Sequence, residues 1–216
     1  MEASDVEIRV LGCLIEKRMT TPDYYPLTLN SLVAACNQAN NRDPVVEYDE
    51  TAVTRGISGL QERGWCRAVH RPGQRSVKYR HTLDEALVVD PEQQALLAVL
   101  MLRGAQTPGE LRTRTTRYLE FPDLGTVEGV LTGLATRERP LAERLERRPG
   151  EKEARWVHLL GGAREHRADP DPDPDPDSDS APPRAPDRLA MLEEEVARLR
   201  DEVARLRGLV EEEPAP

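Results

Sequence analysis

The sequence predicts a mainly α fold carrying small β-hairpins (α+β), and three observations predict it. Apolar residues recur at helical spacing in three successive segments. The period then switches to alternation around the turn signal Arg71-Pro72-Gly73-Gln74. That whole order occurs twice along the chain.

The first segment, Val6 to Lys17, sets Ile8, Leu11, Leu14 and Ile15 on one helical face, with Ser4 or Asp5 available as N-cap. Thr21-Pro22 breaks it. A second helix starts at Thr28 with Leu32, Val33 and Cys36 on its apolar side, and ends in the amide-rich loop Asn37-Gln38-Ala39-Asn40-Asn41. A third is expected from about Asp49 to Arg63, with Val53, Ile57 and Leu60 inward and Gly64 as its stop. Trp65 to His70 and Ser76 to His81 then alternate as two strands of a hairpin.

Three helices followed by a hairpin is the order of a winged helix, a helix-turn-helix with a β-ribbon wing. Val10, Leu11, Leu14, Thr21 and Pro22 match Leu96, Leu97, Leu100, Thr107 and Pro108 at an offset of 86. Val53, Ile57, Gly59 and Leu60 match Val127, Leu131, Gly133 and Leu134 at an offset of 74, and Tyr79 and His81 match Trp156 and His158 at 77. The expectation is two tandem winged-helix domains, residues 1–84 and 85–162. The low aromatic content of 4% and the charged content of 32% suit two small helical modules better than one broad sheet core.

Beyond Leu160 the composition changes. Alternating Asp and Pro from Asp169 to Asp177 forbid helix and favour extension, so residues 163–187 read as a disordered acidic tether. As polyproline II at about 3.1 Å per residue this stretch could reach roughly 78 Å. Residues 188–213 read as a coiled-coil helix. Leu189, Val196, Val203 and Val210 fall at heptad position a and Leu192, Leu199 and Leu206 at d, a choice that favours a parallel two-stranded homodimer. The alternative is a single amphipathic helix docked on its own body.

The net charge of -9 opposes nucleic-acid binding only until it is divided by segment. Residues 1–84 carry 11 basic and 11 acidic side chains and residues 85–162 carry 11 and 12, whereas residues 163–216 carry 8 and 16. The excess acid is in the tail. Arg63, Arg67, Arg71, Arg75, Lys78 and Arg80 lie between Arg63 and His81 with no acidic residue among them, which makes the first hairpin a candidate phosphate clamp, with Gln74 at its tip. In the second copy the cations of Leu141 to Arg155 are nearly cancelled by Glu143, Glu146, Glu151 and Glu153.

The third helix offers Thr51, Thr54, Arg55, Ser58 and Gln61 on its outward face, where Arg55 or Gln61 could read base edges. Asp49 and Glu50 at its start weigh against that, and the bland reading is a solvated face. Asn37, Gln38, Asn40, Asn41 and Arg42 either staple their long loop together or contact a ligand. No catalytic constellation, metal-ligand spacing or cofactor motif is found, so no enzyme activity, metal or cofactor is expected. Cys13, Cys36 and Cys66 read as small buried residues. The acidic start of the chain and the absence of a long apolar run imply a cytoplasmic protein without a membrane span.

Leu11-Gly12-Cys13-Leu14-Ile15-Glu16-Lys17, Thr20-Thr21-Pro22-Asp23, Tyr25-Pro26-Leu27 and Ala35-Cys36-Asn37-Gln38, followed by Asn41-Arg42-Asp43-Pro44-Val45, resemble the YceH-like family of bacterial proteins. That resemblance runs through some 35 positions in order, with a weaker pattern over residues 1 to about 160. It implies two winged-helix domains and a DNA-binding role inferred from fold. This chain has Ala39-Asn40 where the family carries a Lys-Ser pair, so the resemblance implies no lysine contact from that loop. The function expected is a dimeric DNA-binding transcriptional regulator whose partner is double-stranded DNA. The rival is a winged-helix scaffold that binds a protein partner.

Overall fold

The computed structural model describes residues 2–70, 76–147 and 150–161. The tether at 163–187, the heptad seam and the wing-tip residues Arg71, Gln74 and Arg75 lie outside the described residues. Among the described residues the chain is mainly helical with small antiparallel sheets.

Helix α1 (Asp5–Thr20) begins at Ser4, whose hydroxyl accepts from the Glu7 amide while the Glu7 carboxylate accepts from the Ser4 amide at 2.7 Å. This reciprocal cap satisfies two donors that a bare helix start would leave unpaired. After a 3-10 turn at Pro22–Tyr24 come strand β1 (Leu27–Thr28) and helix α2 (Leu29–Cys36), capped by Thr28. Helix α3 (Glu50–Glu62) starts at Asp49, which accepts from the Ala52 amide at 2.7 Å, and buries Val53, Ile57 and Leu60 as expected. Gly64 follows it at φ +72°, a left-handed conformation that glycine adopts without a Cβ penalty.

Strands β2 (Cys66–Val69) and β3 (Lys78–His81) are shorter than the spans expected, and β3 also pairs with β1, giving the order β1-β3-β2. Two residues of β1 have too little length to show a period, so this third strand was not legible. Helix α4 (Leu83–Leu87) links to the second copy: α5 (Pro91–Arg103), α6 (Pro108–Thr115), α7 (Leu124–Ala135), β4 (Ala142–Arg144) and β5 (Trp156–His158). Val127, Leu131 and Leu134 of α7 are buried like their counterparts in α3.

One match in the repeat needs correcting. Thr107 is the N-cap of α6, and its counterpart as N-cap of α2 is Thr28, whereas Thr21 closes α1 and precedes the 3-10 turn. The lone bridge between Gln106 and Trp156 likewise occupies the place of the Leu27–Tyr79 pairing between β1 and β3. Each copy therefore pairs one or two residues ahead of its second helix with its last strand. The extra chain of the first copy divides between the 3-10 turn and the loop from Asn37 to Asp49.

Helices α1 and α5 are buried on every side rather than along one stripe. Every residue from Glu7 to Glu16 is buried, as is every residue from Gln94 to Leu102. The two pack against each other: a Cβ built on Gly12 would stand 2.9 Å from Leu102 Cγ and 3.2 Å from Met101 Cβ, so glycine sets how closely the helices approach. One apolar core runs through both copies, from Leu14 and Leu60 to Leu97, Phe121 and Leu134.

Three charged residues of α1 go inside with it. Glu16 is fully buried and holds the guanidinium of Arg42, with the Arg42 Nη1 to Glu16 Oε1 distance at 3.0 Å. Arg117 donates to the same carboxylate from the second copy, and the Tyr118 hydroxyl approaches it at 3.4 Å. Arg9 donates to the carbonyls of Cys36 and Pro44, and Glu7 pairs with Arg63.

Candidate nucleic-acid interface

The apolar stripe of α3 anchors it and turns the opposite side to solvent. Thr51, Thr54, Arg55, Ser58 and Gln61 are all exposed, so all five outward-face assignments hold as placements. Of the two acids that weighed against this face, Asp49 is the helix cap and Glu50 is exposed in the first turn. Ser58 folds its hydroxyl onto the Thr54 carbonyl at 3.1 Å, so the long polar arms of the surface are Arg55 and Gln61 together with the exposed carboxylates Glu50 and Glu62.

The hairpin cations divide into two groups. Arg63 is half-buried: its Nε donates to Glu7 Oε1 at 2.8 Å, it also reaches the Glu2 carbonyl at 2.6 Å, and its guanidinium lies 5.7 Å from the Trp65 ring centre. It is a packing residue that closes the end of α3 against the start of α1, not part of an open clamp. Arg67 and Arg80 are direct cross-strand partners, with Lys78 two residues before Arg80 on the same outward face. Opposite these two arginines stands a carboxylate that the hairpin sequence alone does not contain. Glu85 of α4 binds Arg80 Nη1 at 2.9 Å through Oε1 and faces Arg67 Nη1 at 3.9 Å through Oε2. The expected run of uncompensated cations is thus partly neutralised by a residue five positions beyond Arg80.

The other face of the hairpin is inward. His81 is 1% exposed, with Arg18 Nη1 at 3.2 Å from its Nε2 and Asp84 Oδ1 at 3.7 Å from its Nδ1. Its backbone N–H donates to the Tyr25 hydroxyl at 2.7 Å. Burial pushes the imidazole down to about 4, and the neighbouring Arg18 charge pushes in the same direction.

The amide-rich loop is held by its own side chains. Asn37 makes a reciprocal pair with the Tyr48 backbone, both bonds at 2.8 Å, which closes the loop across its base. Arg42 is buried and donates to Glu16, to the Ala35 and Asn41 carbonyls and to Gln38, so it staples and cannot contact a ligand. Asn41, at φ 59°, accepts from Arg103 at 3.3 Å. Gln38 is exposed but bonded to Lys17 and Arg42, while Asn40 is exposed. Cys13, Cys36 and Cys66 are buried free thiols.

A family model described as "Protein of unknown function, DUF480" matches residues 3–151, more than half of the chain and reaching into both copies of the repeat. The chain belongs to this family. A UPF0502 protein of Geotalea uraniireducens is 51% identical over 212 residues, covering 98% of this chain and 96% of that protein. UPF0502 proteins of Geobacter metallireducens and Serratia proteamaculans are 50% and 48% identical over 190 and 166 residues, covering 88% and 74% of this chain and 86% and 78% of theirs. These are consistent with the YceH-like resemblance.

Within this member of the DUF480 family the two copies present unlike surfaces. Helix α7 exposes Gly125, Gly129 and Gly133 where α3 has Thr51, Arg55 and Gly59, and nothing lies within 4 Å of a Cβ built on Gly129 or Gly133. Beside it a recess of about 490 Å³ is lined by Arg144, Arg147 and Lys152, with Glu128 and Glu153 opposing their charge and Trp156 at its apolar side. Among the described residues no group of His, Cys, Asp or Glu is arranged to hold a metal ion, and no helix is long and apolar enough to cross a membrane.

Proposed function

We propose that this chain is a tandem winged-helix protein that binds double-stranded DNA as a transcriptional regulator, using α3 and the hairpin of its first copy. The observation that carries the reading is the outward face of α3. The seven exposed side chains of this helix are all polar, Arg55 among them with the carboxylates Glu50 and Glu62 at its two ends, while Val53, Ile57 and Leu60 fix the helix from behind. A helix held this way after a helix-turn and before a β-ribbon has the order in which winged helices lay side chains into a major groove and a wing along the phosphates.

Salt dependence tests this. Affinity for mixed-sequence duplexes is expected to fall steeply between 50 and 200 mM salt, and replacing Arg71 and Arg75 together with alanine should reduce the log–log slope by roughly two ion equivalents. No retention on duplex DNA at 50 mM salt removes the reading. The heptad residues Leu189, Leu192, Val196, Leu199, Val203, Leu206 and Val210 would join two chains in a parallel coiled coil, and the acidic tether would let the heads bind without a fixed half-site spacing. Light scattering at tens of micromolar should return the mass of a dimer, and a monomeric mass excludes the coiled coil.

A second reading, a winged-helix scaffold without DNA contact, is favoured by α7. Three outward glycines cost a helix about 1 kcal/mol each relative to alanine. A bare helix surface with no side chain to displace suits the close approach of a partner's backbone.

A further inference from the structure

The pairing of Arg67 with Arg80 sets two like charges side by side on the hairpin. Like charges directly opposite each other destabilise an antiparallel pair, and the second copy avoids the conflict. There the corresponding cross-strand pair, next to Ala142 and His158 as Arg67 and Arg80 are next to Cys66 and His81, is Glu143 with Val157. In the first copy the two guanidiniums share one outward face, and the two oxygens of a single carboxylate, Glu85, stand between them. A phosphodiester presents its two non-bridging oxygens to a pair of arginines in the same way.

We infer that Arg67 and Arg80 form an oxyanion clamp for a DNA phosphate and that Glu85 occupies it in the unbound protein as an internal stand-in. This rests on the DNA-binding reading and adds to it a specific phosphate contact and the element that restrains it. Glu85 and Arg67 are both more than half exposed, so the pair is solvated and weakly held. A DNA phosphate brings counterion release that a lone carboxylate does not, and so displaces it. Helix α4 is short, with one buried residue, Leu83, so the carboxylate can swing away without opening the core.

The test compares full-length wild type with Glu85→Gln on a mixed-sequence 20-base-pair duplex across a salt series, with Glu120→Gln as an exposed carboxylate change outside the hairpin. Glu85→Gln is expected to tighten binding by about three- to tenfold and to steepen the log–log salt slope by about one ion equivalent, with Glu120→Gln close to wild type. Arg67→Ala should weaken binding more in the Glu85→Gln background than in wild type, because there the arginine is free to meet phosphate. Separately, inorganic tripolyphosphate should move the Arg67 and Arg80 side-chain N–H resonances of Glu85→Gln, and move them less in wild type. Duplex binding by wild type with neither affinity nor slope changed by Glu85→Gln overturns the clamp and leaves the DNA reading standing. Loss of all duplex binding in both proteins, with the tripolyphosphate shifts present, overturns the DNA reading and keeps the anion clamp. Equal gains from Glu85→Gln and Glu120→Gln reduce the effect to overall charge and overturn it too.

Discussion

Replacing Glu16 with alanine is expected to destabilise the fold by about 3–5 kcal/mol, because it breaks a buried ion pair. Glu16 and Arg42 both have fully buried side chains, so truncating the acid leaves a guanidinium in the core with only carbonyl, amide and thiol partners and no counter-charge. Arg117 is partly exposed and can turn to water, but Arg42 cannot. The loop from Asn37 to Asp49 would loosen with it, since Arg42 is its inner anchor. Urea unfolding at pH 7 measures the loss. The double replacement Glu16→Leu with Arg42→Met should recover much of it, because removing both partners avoids the uncompensated charge. A midpoint for Glu16→Ala that corresponds to less than about 1 kcal/mol would mean that the network is solvated.

That network also marks where sequence reading stopped. Periodicity and capping chemistry are local, and they sufficed for α3 and α7, where Val53, Ile57 and Leu60 and then Val127, Leu131 and Leu134 each form a stripe with an aspartate cap ahead. They also sufficed to place the outward side chains of α3. They fell short for α1, where the spacing sets Ile8, Leu11, Leu14 and Ile15 on one face but the fold also buries Glu7, Arg9 and Glu16. The partners of Glu16 stand 26 and 101 residues away, and the second belongs to the other copy of the repeat. Gly12, a poor helix former inside an otherwise apolar segment, was the available signal that another helix comes close there. Arg63, expected in the clamp, is taken by Glu7 for the same reason, and Glu85 was not seen. Counting charges within the hairpin could not reveal that Glu7 takes one arginine and that Glu85, from the next element, sits on two more.

Lowering the pH from 7 to 4 is expected to remove about 3 kcal/mol of stability through His81 alone. The imidazole accepts from Arg18 Nη1 at Nε2, a bond that only the neutral ring can make, and Nδ1 faces Asp84. Burial and the adjacent Arg18 hold its folded value at about 4 against an ordinary 6.5, with Asp84 pulling the other way, Arg80 adding to the lowering and Glu85 opposing it. The folded value lies below the unfolded one, so between them the unfolded chain binds a proton that the native protein refuses. Stability is therefore complete above about pH 6.5, declines by up to about 1.4 kcal/mol per pH unit as the pH falls, and levels off near 4. Asp84, itself held low where Arg18 and His81 outweigh its partial burial, contributes a further loss only below the ordinary carboxylate range. Urea midpoints across this window should show the decline in wild type and a flatter profile in His81→Phe. The His81 ring resonances should titrate near pH 4 in the folded protein. A ring that titrates near 6.5 would show that Arg18 and the surrounding core leave it accessible to water, and would remove the coupling between the end of α1 and the root of the hairpin.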